Sequence, residues 1–183
     1  MVKRQICSMV ACALYTVVMP WSIVTAETSQ PEYKVKAATV YKIAKFVSWP
    51  TDSFGSQYAP LVLCIAGQDP FGQYIDNLDG QLILGRPMLV RRVADRDLMV
   101  RGCHIVFVSQ HSEEVAILRA LARLPVLTIG DSSQFARIGG MLGLGMVDNR
   151  VTFEINLEAA KKARLDISAS LLQLATIVTS PPS

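Results

Sequence analysis

Side-chain catalysis needs a nucleophile, a base or a metal ligand with a partner in reach, so the scarce reactive residues come first. Histidine occurs only at His104 and His111. Neither has a Cys, His or carboxylate partner at ligand spacing, as a metal site would require. His104 lies inside an apolar run and reads as a core histidine, whereas His111 sits in a polar turn. A serine nucleophile would want a strained Gly-x-Ser-x-Gly elbow with a base and an orienter, and the chain contains no such sequence. Asp95, Asp97 and Asp131 are acidic but scattered without a spacing that favours a shared site. Phosphate cradles are glycine-rich turns that enter a helix. The segment 66–72 has too few glycines and carries Pro70, while 139–145 enters a strand and reads as a turn followed by a closely packed strand. These residues point away from catalysis, a metal or a cofactor.

The four cysteines divide between two parts of the chain. Lys3 and Arg4 precede an apolar run from Ile6 to Met19, and Val24-Thr25-Ala26 supplies the small residues of a signal-peptidase site, so cleavage is expected after Ala26. The apolar stretch falls short of the roughly 20 residues needed to cross a bilayer. A lipid attachment at Cys12 would leave too short a hydrophobic region for export. Cys7 and Cys12 leave with residues 1–26, and Cys64 and Cys103 remain. In an oxidising compartment an even count favours a bridge, with two buried free thiols as the alternative. Removing 26 of 183 residues leaves 157, from 27 to 183, a suitable length for a single domain.

Several elements must position these residues. Tyr33, Ala37, Val40, Ala44 and Val47 recur at helical spacing and predict an amphipathic helix, stopped by Trp49-Pro50. Residues 61–66 form a short continuous apolar run, the mark of a strand covered on both faces. Asp69-Pro70 predicts an N-cap and first helical position for a short helix to Leu78. Further strands are expected at Pro87 to Val93, Cys103 to Val108 and Pro125 to Ile129. Between the last two, a helix begins at Ser112-Glu113-Glu114 and turns Val115, Leu118, Leu121 and Ala122 inward. A short helix containing Phe135 follows, then a β-hairpin from Met141 to Val147 and Val151 to Asn156. Asn156 can cap a closing helical region whose last helix buries Ile167, Leu171, Leu174 and Val178. The fold class is α/β: a mostly parallel central sheet with helices on both faces and a C-terminal β-hairpin. Cys64 and Cys103 can bridge if the first and third strands are neighbours.

Charge excludes one partner class. With Lys3 and Arg4 removed, 16 basic residues face 15 acidic ones, a net charge of +1 with no basic face suited to nucleic acid. Arg86, Arg91, Arg92, Arg96 and Arg101 form a local basic cluster that can meet anionic head groups or an acidic surface, although a solvated strand edge explains it more simply. Trp49, Phe54 and Tyr58 suggest an aromatic anchor, with core packing the plainer role for Trp49.

Short motifs in fixed order carry a family resemblance. Tyr33 to Ala38 with Phe46 and Trp49-Pro50, Leu63-Cys64-Ile65, Asp69-Pro70-Phe71-Gly72, Gly85-Arg86-Pro87, and Gly102 to Phe107 begin the pattern. Gly139-Gly140-Met141, Val151 to Leu157 and Ile167-Ser168 to Leu174 complete it. The chain resembles the YfiR-like family of periplasmic proteins along nearly all of its exported part. The resemblance implies a repressor that binds the periplasmic part of an inner-membrane diguanylate cyclase and is sequestered by an OmpA-like outer-membrane lipoprotein, so linking envelope or redox stress to biofilm formation. It also implies a homodimer and a Cys64–Cys103 disulfide, while a second cysteine pair found in some relatives has no counterpart around Ile138 to Gly145. Candidate contact residues are Phe153, Glu154 and Asn156 on the hairpin and Ile167 and Leu171 on the last helix. Phe153 in the core and Asn156 as a cap are the structural alternatives. A small-ligand receptor using the cleft at the carboxyl ends of the strands, and an envelope hydrolase, are the competing functional classes.

Overall fold

The computed structural model describes residues 30–93, 102–109, 113–148 and 150–180. The expected signal peptide and the residues Asp95, Arg96, Asp97, Arg101, His111 and Ser112 lie outside the described residues.

Helix α1 (Gln30–Ala44) forms on the expected apolar spacing and buries Tyr33, Ala37, Val40 and Ala44. It ends before Val47, which instead enters the two-residue strand β1 (Val47–Ser48). β2 (Leu61–Ala66) is buried at every position, as a continuous apolar run requires. Its alternation divides the core in two: Leu61, Leu63 and Ile65 join the α1 side, and Val62, Cys64 and Ala66 join the other.

After β2 comes the single-turn helix α2 (Gln73–Asp76), then β3 (Leu82–Ile83) and β4 (Arg86–Val93). β5 (Ile105–Val108), α3 (Glu114–Leu121) and β6 (Leu127–Gly130) follow. β7 (Leu142–Val147) and β8 (Arg150–Asn156) pair antiparallel, from Leu142↔Ile155 to Val147↔Arg150. The chain closes with α4 (Leu157–Lys162), β9 (Asp166–Ile167), α5 (Ala169–Leu172) and β10 (Thr176–Val178). The eight-stranded sheet runs β10-β8-β7-β6-β5-β2-β4-β3, parallel except at β7–β8 and β3–β4. α1 packs into the larger core cluster, whereas Ile117, Leu118 and Leu121 of α3 pack into the other.

Four local expectations are corrected. Asp69 does not cap a helix: its Oδ1 accepts from the Phe71 N–H at 2.7 Å, making a turn before α2 starts beyond Gly72. In α3 the inner face uses Ile117 with Leu118 and Leu121, leaving Val115 and Ala122 exposed. The segment around Phe135 is a run of turns, because Gly130 and Gly140 both lie against the Phe135 ring and a Cβ on either would collide with it. The single last helix is replaced by two short helices and two short strands. Ile167 pairs with Val47, Leu171 packs inward from α5, Leu174 is exposed, and Val178 lies on β10.

Candidate functional site

Cys64, within β2, and Cys103, just before β5, form a disulfide with Cα atoms 5.9 Å apart. β2 and β5 are direct neighbours, so the bridge clips the middle of the sheet. His104 stands beside it and is fully engaged. Its backbone N–H donates to the Val62 carbonyl at 2.9 Å, and the Val62 N–H donates back to ring Nδ1 at 3.0 Å. Nε2 lies 3.1 Å from the Ser53 carbonyl oxygen, which requires the ring proton on Nε2. Burial is the main cause lowering the His104 pKa, with Arg86 adding to it and the Ser53 bond opposing it. Phe54 stacks on the imidazole at 4.5 Å between centroids, and the Arg86 guanidinium lies 3.8 Å from the same phenyl centroid. Trp49 donates from Nε1 to the His104 carbonyl at 3.1 Å, placing it in the packing role expected of it.

At the carboxyl ends of the parallel strands, Asp131 follows β6 with a fully buried carboxylate. Its Oδ2 accepts from Tyr33 Oη at 2.8 Å and from Lys36 Nζ at 3.1 Å, while Lys36 also meets Glu32 at 2.6 Å. Glu114 Oε2 accepts from Ser132 Oγ at 2.9 Å. Burial, chiefly, raises the Glu114 pKa; the Ser132 bond lowers it and the Asp131 charge raises it. Among the described residues, Glu114 Oε1 and Asp131 Oδ1 have no hydrogen-bond partner. Among the described residues no group of three or more His, Cys, Asp or Glu side chains can hold a metal ion. The cluster is a charged joint between α1, the end of β6 and the start of α3. Sequence reading overlooked Lys36, although its place three residues after Tyr33 and four before Val40, within a buried stripe, was the available signal.

The five expected contact residues fall into two groups. Phe153 and Glu154 are half-buried on β8, beside a groove that Ser133, Gly145 and Thr152 help to line. Phe153 packs on the core cluster, and Glu154 pairs with Arg137 at 2.7 Å. Asn156, Ile167 and Leu171 are interior. Asn156 caps α4 by accepting from the Ala159 N–H at 3.0 Å and donates to the Ala136 carbonyl and Ser180 Oγ. Ile167 and Leu171 pack in the main core cluster, Ile167 in register with Val47.

The fold and these side chains define a cystine-clipped α/β scaffold in which His104 and Asn156 serve internal bonds, and in which Phe153 and Glu154 of β8 are half-buried. The family model described as YfiR/HmsC-like matches residues 33–176, and the chain belongs to that family.

Proposed function

We propose that the protein is a periplasmic regulator that represses an inner-membrane diguanylate cyclase, or a related sensor, by protein–protein contact and without catalysis of its own. The family match along residues 33–176 is the observation that carries this reading. A repressor of this kind acts by differential binding: stabilising the inactive arrangement of a membrane sensor by a few kcal/mol shifts its population, and a competitor on the same surface reverses the shift. An OmpA-like outer-membrane lipoprotein is the proposed competitor and a homodimer the proposed working form. Phe153 offers a partly exposed aromatic anchor on one face of β8 and Glu154 a charge on the other; Asn156 caps α4 at the end of the strand, and Ile167 and Leu171 act through the core.

Titrating the exported chain with the periplasmic segment of a cyclase encoded beside it tests the reading. Saturable binding is expected, and Phe153→Ala should weaken it by about tenfold or more, as for a central aromatic at an interface. No saturable binding at high protein concentration removes the proposal.

A small-ligand receptor is the second reading, favoured by a cavity of about 430 Å³ lined by Tyr33, Asp69 to Gln73 and Tyr74, between α1 and the turn after β2. That size falls within the range of ligand pockets. A thermal-shift screen of small periplasmic metabolites would detect occupancy as a raised melting temperature.

A further inference from the structure

The β3–β4 hairpin is built against its own local preference. Leu84 and Gly85 form a two-residue turn between the paired Ile83 and Arg86, and both take positive φ, +51° and +80°. Turns of that kind favour Asn, Asp or Gly at the first position because a larger side chain is strained there. Leu84 is nevertheless 62% exposed, and Leu82 on the same hairpin is 65% exposed. An apolar side chain held in a strained conformation and turned to water points to an external contact.

The surroundings give that contact a chemistry. Tyr41 Oη donates to the Leu82 carbonyl at 3.1 Å, with Lys45 Nζ 4.3 Å from its ring centroid. Arg86 donates to the Ser56 and Ala59 carbonyls, in the loop that carries the 83% exposed Tyr58. Lys45 and Arg86 lie within salt-bridge distance of no carboxylate among the described residues. The contributing segments 33–51, 53–68 and 80–94 contain no Asp or Glu. Among the described acids that border these segments, Glu32 pairs with Lys36, Asp52 with Arg164 and Asp69 with Arg92, and Asp79 Oδ1 accepts from the Val90 N–H.

We propose that this hairpin is a peripheral membrane contact, in which Leu82 and Leu84 enter the interface of an anionic phospholipid bilayer. Tyr41 and Tyr58 lie at head-group level, and Lys45 and Arg86 meet the lipid phosphates. A two-residue turn with exposed aliphatic side chains, and with tyrosines and cations close by, has the residue types of an interfacial anchor. A protein partner of standard size would cover roughly 800 Å² with matched polar groups, and a two-residue tip offers little of either. β3 is at the sheet edge opposite β8 and β10, so a chain held to lipid here keeps β8 free. The proposal stands apart from the cyclase reading: loss of either binding activity leaves the other in place.

Co-sedimentation of the exported chain with phosphatidylcholine vesicles, with and without phosphatidylglycerol, tests it. Partitioning is expected to be about tenfold stronger onto the anionic vesicles and to weaken as salt is raised. Leu84→Asn should lower it about tenfold while leaving the melting temperature equal or higher, because Asn suits the turn that Leu strains. Leu82→Ser should lower it similarly, and Lys45→Gln should reduce only the preference for anionic lipid. Equal or absent binding to the two vesicle types overturns the proposal, as does binding indifferent to Leu82→Ser and Leu84→Asn. Capture that occurs only when a membrane protein is reconstituted in the vesicles overturns it in favour of a protein partner.

Discussion

His104, which is buried, and Glu114, which is half-buried, are two titratable groups with opposite consequences for stability. In the folded chain His104 must stay neutral, because its Nδ1 accepts the Val62 N–H, and burial lowers its pKa below the ordinary 6.5. The unfolded chain therefore takes up a proton first as pH falls. The contribution of His104 is complete above about pH 6.5 and is lost progressively toward its lower folded value. Thermal melts should show this acid-side decline in the wild type and a shallower one in His104→Gln; an unchanged slope would mean other groups carry it. Glu114 has the reverse sign. Its raised pKa makes ionisation unfavourable in the folded state, so stability falls as pH rises from the unfolded value near 4.5 through the raised one. Glu114→Gln removes the charge that burial disfavours, so it should melt higher than wild type at pH 7 and lose this advantage below pH 4.5. A lower melting temperature for Glu114→Gln at neutral pH would show that the carboxylate is needed ionised. His104 was legible as a core histidine because its neighbours are apolar. The Tyr33–Lys36–Asp131 joint was not, because it unites residues nearly a hundred positions apart.

Elements whose identity follows from their own residues were legible, and those decided by distant pairing were not. β2, β5 and β6 announce themselves as short apolar runs, and α1 by its spacing. Ile167, Leu171, Leu174 and Val178 also fit a helical stripe, yet tertiary pairing overrides it: Ile167 aligns with Val47 and residues 176–178 add to β8. The Ser168 N–H donating to the Phe46 carbonyl and the Ser168 cap on α5 fix the break between β9 and α5. The turns around Phe135 show the same logic at close range. Its ring is buried between Gly130 and Gly140, so space here has been given to phenylalanine rather than to backbone Cβ atoms. Gly140→Ala should destabilise by about 1–3 kcal/mol, the usual range for overpacking. Phe135→Ala should cost about 3–5 kcal/mol through the cavity it leaves. The double variant should be less destabilised than the two separate losses combined, since removing the ring removes the side-chain part of the collision and leaves only that with the Phe135 carbonyl. Denaturant melts of the four proteins measure the coupling, and strict additivity would show that ring and glycine are independent.

At the scale of the molecule, the disulfide and the two sheet edges divide the work. Cys64 and Cys103 close a loop of sequence separation 39 that contains α2, β3 and β4, the elements carrying the exposed hairpin. In the chain-entropy model, that closure disfavours the unfolded state by about 4 kcal/mol. A typical domain is stable by only about 5–15 kcal/mol, so the bridge supplies a large share of what keeps the sheet intact. Replacing both cysteines by alanine, which leaves no free thiol, should lower the melting temperature by roughly 10–15 °C for a chain of this size. The β8 surface is reached from β2 only across β5, β6 and β7, so the loss should be one of stability and not of recognition. Well below its lowered melting point, the double-alanine variant should bind a cyclase segment with wild-type affinity. A variant that keeps its melting temperature but loses binding would make the bridge a redox control on recognition. Loss of stability with affinity intact makes it a clasp for the half of the sheet that carries the hairpin.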